Sequence, residues 1–240
     1  MTMTKQQYDC NICEDSGFIP LKEEPTRLTQ CECETKRINE KIQTLAFNSS
    51  NITNLDKDKF TLNNFIPERQ LTKKGIADAK MLLKLLSSWQ DKDIKLLTIT
   101  GGVGIGKTHL SIATLVDLIY AHSQKVYYAP ATEVAVKSRD FEYGESERYR
   151  KKLQEIDWLV LDDLGVEHDP RGYMQTFYHS IIDHRYSQEK QTLITTNLSV
   201  NGKKKDSLLK RLGERIVSRL NHKGISLCYE AEGQDIRKLK

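Results

Sequence analysis

The stretch Gly101-Gly102-Val103-Gly104-Ile105-Gly106-Lys107-Thr108 matches G-x-x-x-x-G-K-[ST], and its flanks decide how it is read. Leu96 to Thr100 is a short apolar run that predicts a strand, and a helix is predicted to start near Lys107. Between strand and helix, such a loop curls so that backbone N–H groups face phosphate oxygens, and the helix N-terminus adds a positive field. Lys107 is placed to reach the β- and γ-phosphates and Thr108 to coordinate Mg2+. The predicted nucleotide-binding set is Gly102, Val103, Gly104, Ile105, Gly106, Lys107, Thr108 and His109.

Two later strands end in polar residues that suit the same site. Leu159-Val160-Leu161-Asp162-Asp163 has a Walker B pattern, in which Asp162 holds Mg2+ and Asp163 orients the attacking water. Asp163 is one methylene shorter than the usual Glu, which predicts slow hydrolysis. The plain alternative is a strand end with two solvated acids. Thr192-Leu193-Ile194-Thr195-Thr196-Asn197 is a further buried strand, and Asn197 reaches the γ-phosphate if this strand lies between the other two. Otherwise Asn197 caps a turn.

Length and composition bound the rest. The chain has 240 residues, 38% hydrophobic and 29% charged, which fits one globular domain with a small appendage. The 37 Lys and Arg against 33 Asp and Glu leave a net charge of +4, too small to identify a nucleic-acid partner by itself. No run approaches the ~18 apolar residues of a membrane span, and Met1 to Gln7 lacks a secretion signal's apolar stretch. The expected compartment is the cytoplasm, with no membrane partner.

In that compartment the spacing C-x2-C-x17-C-x-C of Cys10, Cys13, Cys31 and Cys33 favours a four-thiolate Zn2+ site. Phe18 to Leu21 is predicted as a strand and Glu23-Glu24-Pro25 as a hairpin end, a segment too short to fold without metal. A redox pair or an unligated cluster is the alternative. Cys228 is expected to be a buried strand residue. Glu34 to Phe47 predicts a helix, Asn48 to Asn54 a polar linker and Glu68 to Gln90 one amphipathic helix. The expected domains are a zinc-binding module over 1–50 and an ATPase domain over 51–240. Strands are expected at Leu96–Thr100, Lys125–Ala129, Trp158–Leu161, Thr192–Thr195 and Ile225–Tyr229. Helices separate them, which implies a parallel sheet.

Arg211, Arg215 and Arg219 recur every four residues, so one helix would put them on one face. Such a stripe is either solvated or presented to a neighbouring subunit.

These residues together resemble the DnaC/DnaI-type replicative helicase loaders, a branch of the AAA+ ATPases close to the DnaA initiator and to IstB-type transposition ATPases. The resemblance rests on Gly101 to Thr108, Leu161-Asp162-Asp163-Leu164-Gly165, Thr195-Thr196-Asn197-Leu198 and Glu214 to Leu220. It implies an AAA+ P-loop α/β domain of three layers around a central five-stranded parallel sheet, preceded by a small zinc-binding module that contacts the helicase. It implies ATP/ADP, Mg2+ and Zn2+ as cofactors, Asn197 as sensor 1, and Arg219, with Arg215 second, as an arginine finger acting on a neighbouring AAA+ subunit. Lys107, Asp162 and Asp163 complete the expected catalytic set. The implied function is ATP-dependent loading of a hexameric replicative DNA helicase onto single-stranded DNA. An IstB-type transposition helper is the alternative, and a small-molecule phosphotransferase lacks an evident acceptor pocket or lid.

The resemblance also places Pro130 to Ile156 near single-stranded DNA. Lys137, Arg139, Arg148, Arg150, Lys151 and Lys152 suit phosphates, and Phe141, Tyr143 and Tyr149 suit bases. Interleaved Asp140, Glu142, Glu145 and Glu147 leave a mixed-charge surface helix as the competing reading.

Overall fold

Thr72 accepts a hydrogen bond from the Gly75 N–H and so starts a helix at Lys73, while Gly106, at φ 100°, starts another at Lys107. A computed structural model describes residues 9–140, 144–167, 169, 172–200 and 207–236. In chain order its elements are β1 (Phe18–Pro20), β2 (Leu28–Gln30), α1 (Glu32–Ser49), α2 (Asn54–Lys59), α3 (Lys73–Ser87), β3 (Leu96–Gly101), α4 (Lys107–His122) and β4 (Val126–Pro130). Then come α5 (Ala131–Lys137), α6 (Glu145–Glu155), β5 (Trp158–Asp162), α7 (Tyr173–Ser187), β6 (Gln191–Thr196), α8 (Leu208–Leu212), α9 (Glu214–Leu220) and β7 (Ser226–Ala231).

β3 to β7 form a parallel sheet in the order β4-β5-β6-β3-β7, with Leu97 facing Leu193 and Leu227 across the strand pairs. Two apolar layers cover it. One joins α1, α3 and α4 through residues such as Phe47, Leu82, Leu86, Leu115 and Ile119; the other joins α6, α7, α8 and α9 through Leu153, Tyr178, Ile181, Leu208 and Ile216. Each of these buried leucines and isoleucines contributes ~1.5–3 kcal/mol by leaving water. The three-layer α/β architecture is therefore the expected one.

Buried Arg185 of α7 ties the sheet's N-terminal edge together. It donates to the carbonyls of Leu153, Gln154, Ile156, Asp157 and Gln191 and to the Thr192 hydroxyl, at 2.6–3.3 Å. These acceptors include the last-turn carbonyls of α6, which nothing within a helix can satisfy.

Three local expectations are corrected. Glu68 to Gln90 is not one helix: 3-10 turns at Pro67–Arg69 and Trp89–Asp91 flank α3, because Pro67 opens a separate turn and Thr72 caps afresh. Asn48 to Asn54 is not a free linker. Ser50 is fully buried, its carbonyl accepts from the Tyr128 N–H at 2.8 Å, and Asn51 Nδ2 donates to the Tyr128 carbonyl at 2.8 Å, so the segment is docked on the outer edge of β4. The arginine stripe does not lie on one helix, because Gly213, at φ 82°, breaks it between Arg211 and Arg215. Cys228 sits half-buried in β7.

Candidate functional site

The C-terminal ends of β3, β5 and β6 meet at one edge of the sheet, where open parallel sheets place their ligand sites. β6 lies between β3 and β5, so Asn197 follows the middle strand as the site requires. Lys107 Nζ donates to the carbonyls of Gly101 and Gly102, each at 2.9 Å, and to Asn197 Oδ1 at 2.8 Å. Those acceptors hold the ammonium at the mouth of the loop, where a phosphate arriving at the α4 N-terminus meets both the cation and the helix field. Val103 and Gly104 line the cleft, whereas the Ile105 side chain is buried in the core and offers the site only its backbone.

Asp162 is 3% exposed and is gripped on both oxygens: Oδ2 accepts from Thr108 Oγ1 and from the Tyr128 hydroxyl, each at 2.8 Å, and Oδ1 accepts from Thr195 Oγ1 at 2.5 Å. Thr195 also accepts from the Asp163 N–H at 2.9 Å, which fixes Asp163 at φ 55°, a left-handed conformation uncommon for a residue with a side chain. That turn brings the Asp163 carboxylate to 3.4 Å from Asn197 Nδ2. A hard cation with oxygen ligands suits Thr108 beside Asp162, so the donor set fits Mg2+.

Beside the loop lies a cleft of about 420 Å³, lined by Phe60, Phe65, Ile66 and Arg69 as well as by Lys107, Thr108 and His109. His109 stacks edge-on against Phe60 and Phe65, with centroids 5.2 and 5.3 Å away, and its Nε2 lies 2.9 Å from the Thr61 carbonyl. Burial lowers the His109 pKa, so the ring is neutral at pH 7 and flat apolar walls face the cleft. A side chain on Gly106 would run into Phe65 at 2.4 Å, and one on Gly104 into Asp235. Sequence reasoning missed Tyr128, Thr195 and the whole Phe60–Arg69 wall. That wall is a short irregular stretch with no periodic pattern, and only tertiary packing brings it to the P-loop.

The four predicted cysteines converge: their sulfur atoms all lie within 4.8 Å of one another, Cys10 and Cys13 from the turn before β1 and Cys31 and Cys33 from the start of α1. Backbone N–H groups of Cys13 and Ile12 lower the Cys10 pKa to about 7, whereas contacts with Cys13 and with the other neighbouring thiols push Cys33 up. Four crowded soft donors with hydrogen bonds to sulfur fit Zn2+, which would hold them as thiolates and offset half of their charge.

The remaining candidates are arranged differently. Arg219, its side chain 19% exposed, pairs with Asp183 of α7 and lies over the Tyr186 ring; Arg215, 67% exposed, reaches Asp183 at 2.8 Å. Arg211 instead donates to the Glu167 carbonyl at 3.1 Å. On α6, Arg148 pairs with Glu145, and Arg150 and Lys151 both pair with Glu147. Tyr149, expected to stack on bases, is buried against Tyr127. Phe141, Glu142 and Tyr143 lie outside the described residues.

Comparison with known proteins agrees with this geometry. A family model described as IstB-like ATP binding protein matches residues 42–239. The chromosomal replication initiator protein DnaA of Latilactobacillus sakei subsp. sakei (strain 23K) is 28% identical over 217 residues, covering 88% of this chain and 44% of that protein. The uncharacterized protein YdaV of Escherichia coli (strain K12) is 28% identical over 126 residues, covering 52% of this chain and 48% of that protein. The chain thus spans about half the length of these relatives. A crystal structure of the DnaC helicase loader superposes with TM-score 0.57 at 24% identity, over 72% of this chain and 97% of that one. The DnaI crystal structure gives 0.57 at 19% identity, over 78% and 95%, and DnaA bound to AMPPCP and single-stranded DNA gives 0.57 at 23%, over 73% and 50%. At these identities the shared feature is the fold. No described helix is long and apolar enough to cross a membrane. With a P-loop, a gripped Walker B carboxylate and a family match across most of its length, this chain belongs to the IstB-like ATP binding protein family.

Proposed function

We propose that the protein is an ATP-dependent loader of a hexameric replicative DNA helicase onto single-stranded DNA, acting in the cytoplasm as a slow ATPase switch. The observation that carries this reading is the pairing of a DnaC-like ATPase fold with an amino-terminal four-cysteine cluster, a combination with one part for energy and one for a partner. The zinc-binding module lies within residues 1–50, whose helix α1 packs its C-terminal end against the ATPase domain of 51–240.

In the ATPase step, the P-loop and Lys107 hold the β- and γ-phosphates, and the Phe60–Arg69 wall receives the base. Mg2+, when bound by Thr108 and Asp162, neutralises charge on the phosphates. Asp163 and Asn197, 3.4 Å apart, orient a water for in-line attack, which is most of what phosphoryl transfer requires of a protein. Arg219, with Arg215 second, completes a neighbouring subunit's site. Lys137, Arg139, Arg148, Arg150, Lys151 and Lys152 supply the single-stranded DNA contacts, through phosphates rather than through Tyr149.

The IstB-like family description supports a second reading, a transposition helper. Copurification of the full tagged chain from its source cell distinguishes the two. Retention of a replicative helicase, lost when the cysteines are replaced by serine, supports the loader; retention of a transposase in its place overturns it.

A further inference from the structure

Tyr128 occupies a position that the P-loop and Walker patterns do not specify. Its backbone lies in β4, the sheet's outer strand, and is bonded on the outside to the end of α1: its N–H donates to the Ser50 carbonyl and its carbonyl accepts from Asn51 Nδ2, each at 2.8 Å. Asn51 is held at φ 65° and also donates to Glu133 Oε2 at 2.7 Å, so this junction is set from two sides. The Tyr128 hydroxyl donates to Oδ2 of Asp162, the last residue of the neighbouring strand β5, at 2.8 Å. That oxygen also accepts the Thr108 hydroxyl, the group that faces the metal position.

We propose that Tyr128 is a positioning residue for Asp162, orienting its carboxylate for Mg2+, and that the Ser50–Asn51 junction sets Tyr128 in register. The inference rests on the ATP and Mg2+ reading of the site given above. Three donors fix both oxygens of Asp162, and a carboxylate so fixed presents its remaining lone pairs in one direction. Because one residue bonds the end of α1 with its backbone and Asp162 with its hydroxyl, a shift of α1 is felt at the metal position.

The test is a Mg2+ titration of the full chain with a fluorescent ATP analogue, beginning in EDTA. Tyr128→Phe keeps the ring and both backbone bonds. It is expected to bind nucleotide in EDTA as the parent does, but to need about tenfold more Mg2+ for the half-maximal gain, the usual effect of removing an outer-shell partner. Asn51→Ala removes the bonds to both Tyr128 and Glu133 and is expected to shift the same midpoint by about threefold, less than Tyr128→Phe because the junction acts on Asp162 only through Tyr128. An unchanged midpoint in Tyr128→Phe overturns the positioning role, as does an equal loss of affinity with and without Mg2+, which marks general damage to the cleft. An Asn51→Ala midpoint equal to the parent's overturns the junction's part. If the parent itself gains nothing from Mg2+, the metal reading of the site is what fails.

Discussion

Lys107 Nζ and Asn197 Oδ1 lie 2.8 Å apart although 90 residues separate them, so the P-loop cation and the residue ending β6 form one polar unit. Their roles differ in chemistry. Lys107→Ala removes the charge proposed to contact phosphate, and ATP binding is expected to fall below detection. Asn197→Ala and Asp163→Ala are expected to bind ATP like the parent and to lose at least about tenfold in turnover, since in the proposed mechanism each orients water rather than holding phosphate. Filter binding and phosphate release measure the two quantities. Parental turnover in Asp163→Ala would remove that residue from the mechanism.

The cysteine cluster predicts about one Zn2+ per chain, read by elemental analysis. Strong chelation, or Cys13→Ser, is expected to unfold the β1–β2 hairpin while the ATPase core keeps its unfolding transition. The hairpin's strands are three residues each and mostly exposed, so metal supplies the stability that packing does not. Less than ~0.2 zinc per chain after metal-replete expression would contradict four-thiolate ligation.

Asp183 engages both Arg215 and Arg219 within one chain, so an arginine that serves a neighbouring subunit must be presented from this cluster. Specific activity is expected to rise with protein concentration or with single-stranded DNA and helicase as scaffolds, by an amount on the order of 10³-fold for a full finger. Arg219→Ala should abolish the rise and leave ATP binding intact. Mixing Arg219→Ala with Lys107→Ala, each inactive alone, should restore activity by joining an intact pocket to an intact finger. A concentration-independent rate shared by parent and Arg219→Ala excludes action in trans.

His109 gives the cleft a pH dependence of defined sign. Its pKa is lowered in the folded chain by burial, so the unfolded chain binds the proton more readily. The stability from its neutral ring is complete above the unfolded value of about 6.5 and is lost as pH falls through the folded value. Urea midpoints are expected to rise from pH 5 to pH 7, and His109→Gln should flatten part of that rise. An identical pH profile in the variant would show that His109 is not the group responsible.

The parallel sheet and the convergence of the candidate nucleotide-site residues were legible in the sequence because their signals are local. Apolar runs ending in Gly101, Asp162 and Asn197 report strands whose ends carry chemistry, and a P-loop needs its glycines, lysine and threonine at fixed spacing. The cysteine cluster was legible for the same reason, since two close pairs limit the ways four sulfurs can meet. Tertiary structure alone decided three other matters. It brought Phe60, Phe65 and Arg69 to the P-loop from an irregular segment, and it drew Tyr128 and Thr195 onto Asp162 by setting β4 and β6 on either side of β5. It also paired the stripe arginines with Asp183 and left Arg211 on a separate helix beyond Gly213. A sequence pattern records what one element needs of its own residues, whereas a hydrogen bond between side chains 33 or 34 residues apart depends on strand order, which neither partner encodes by itself.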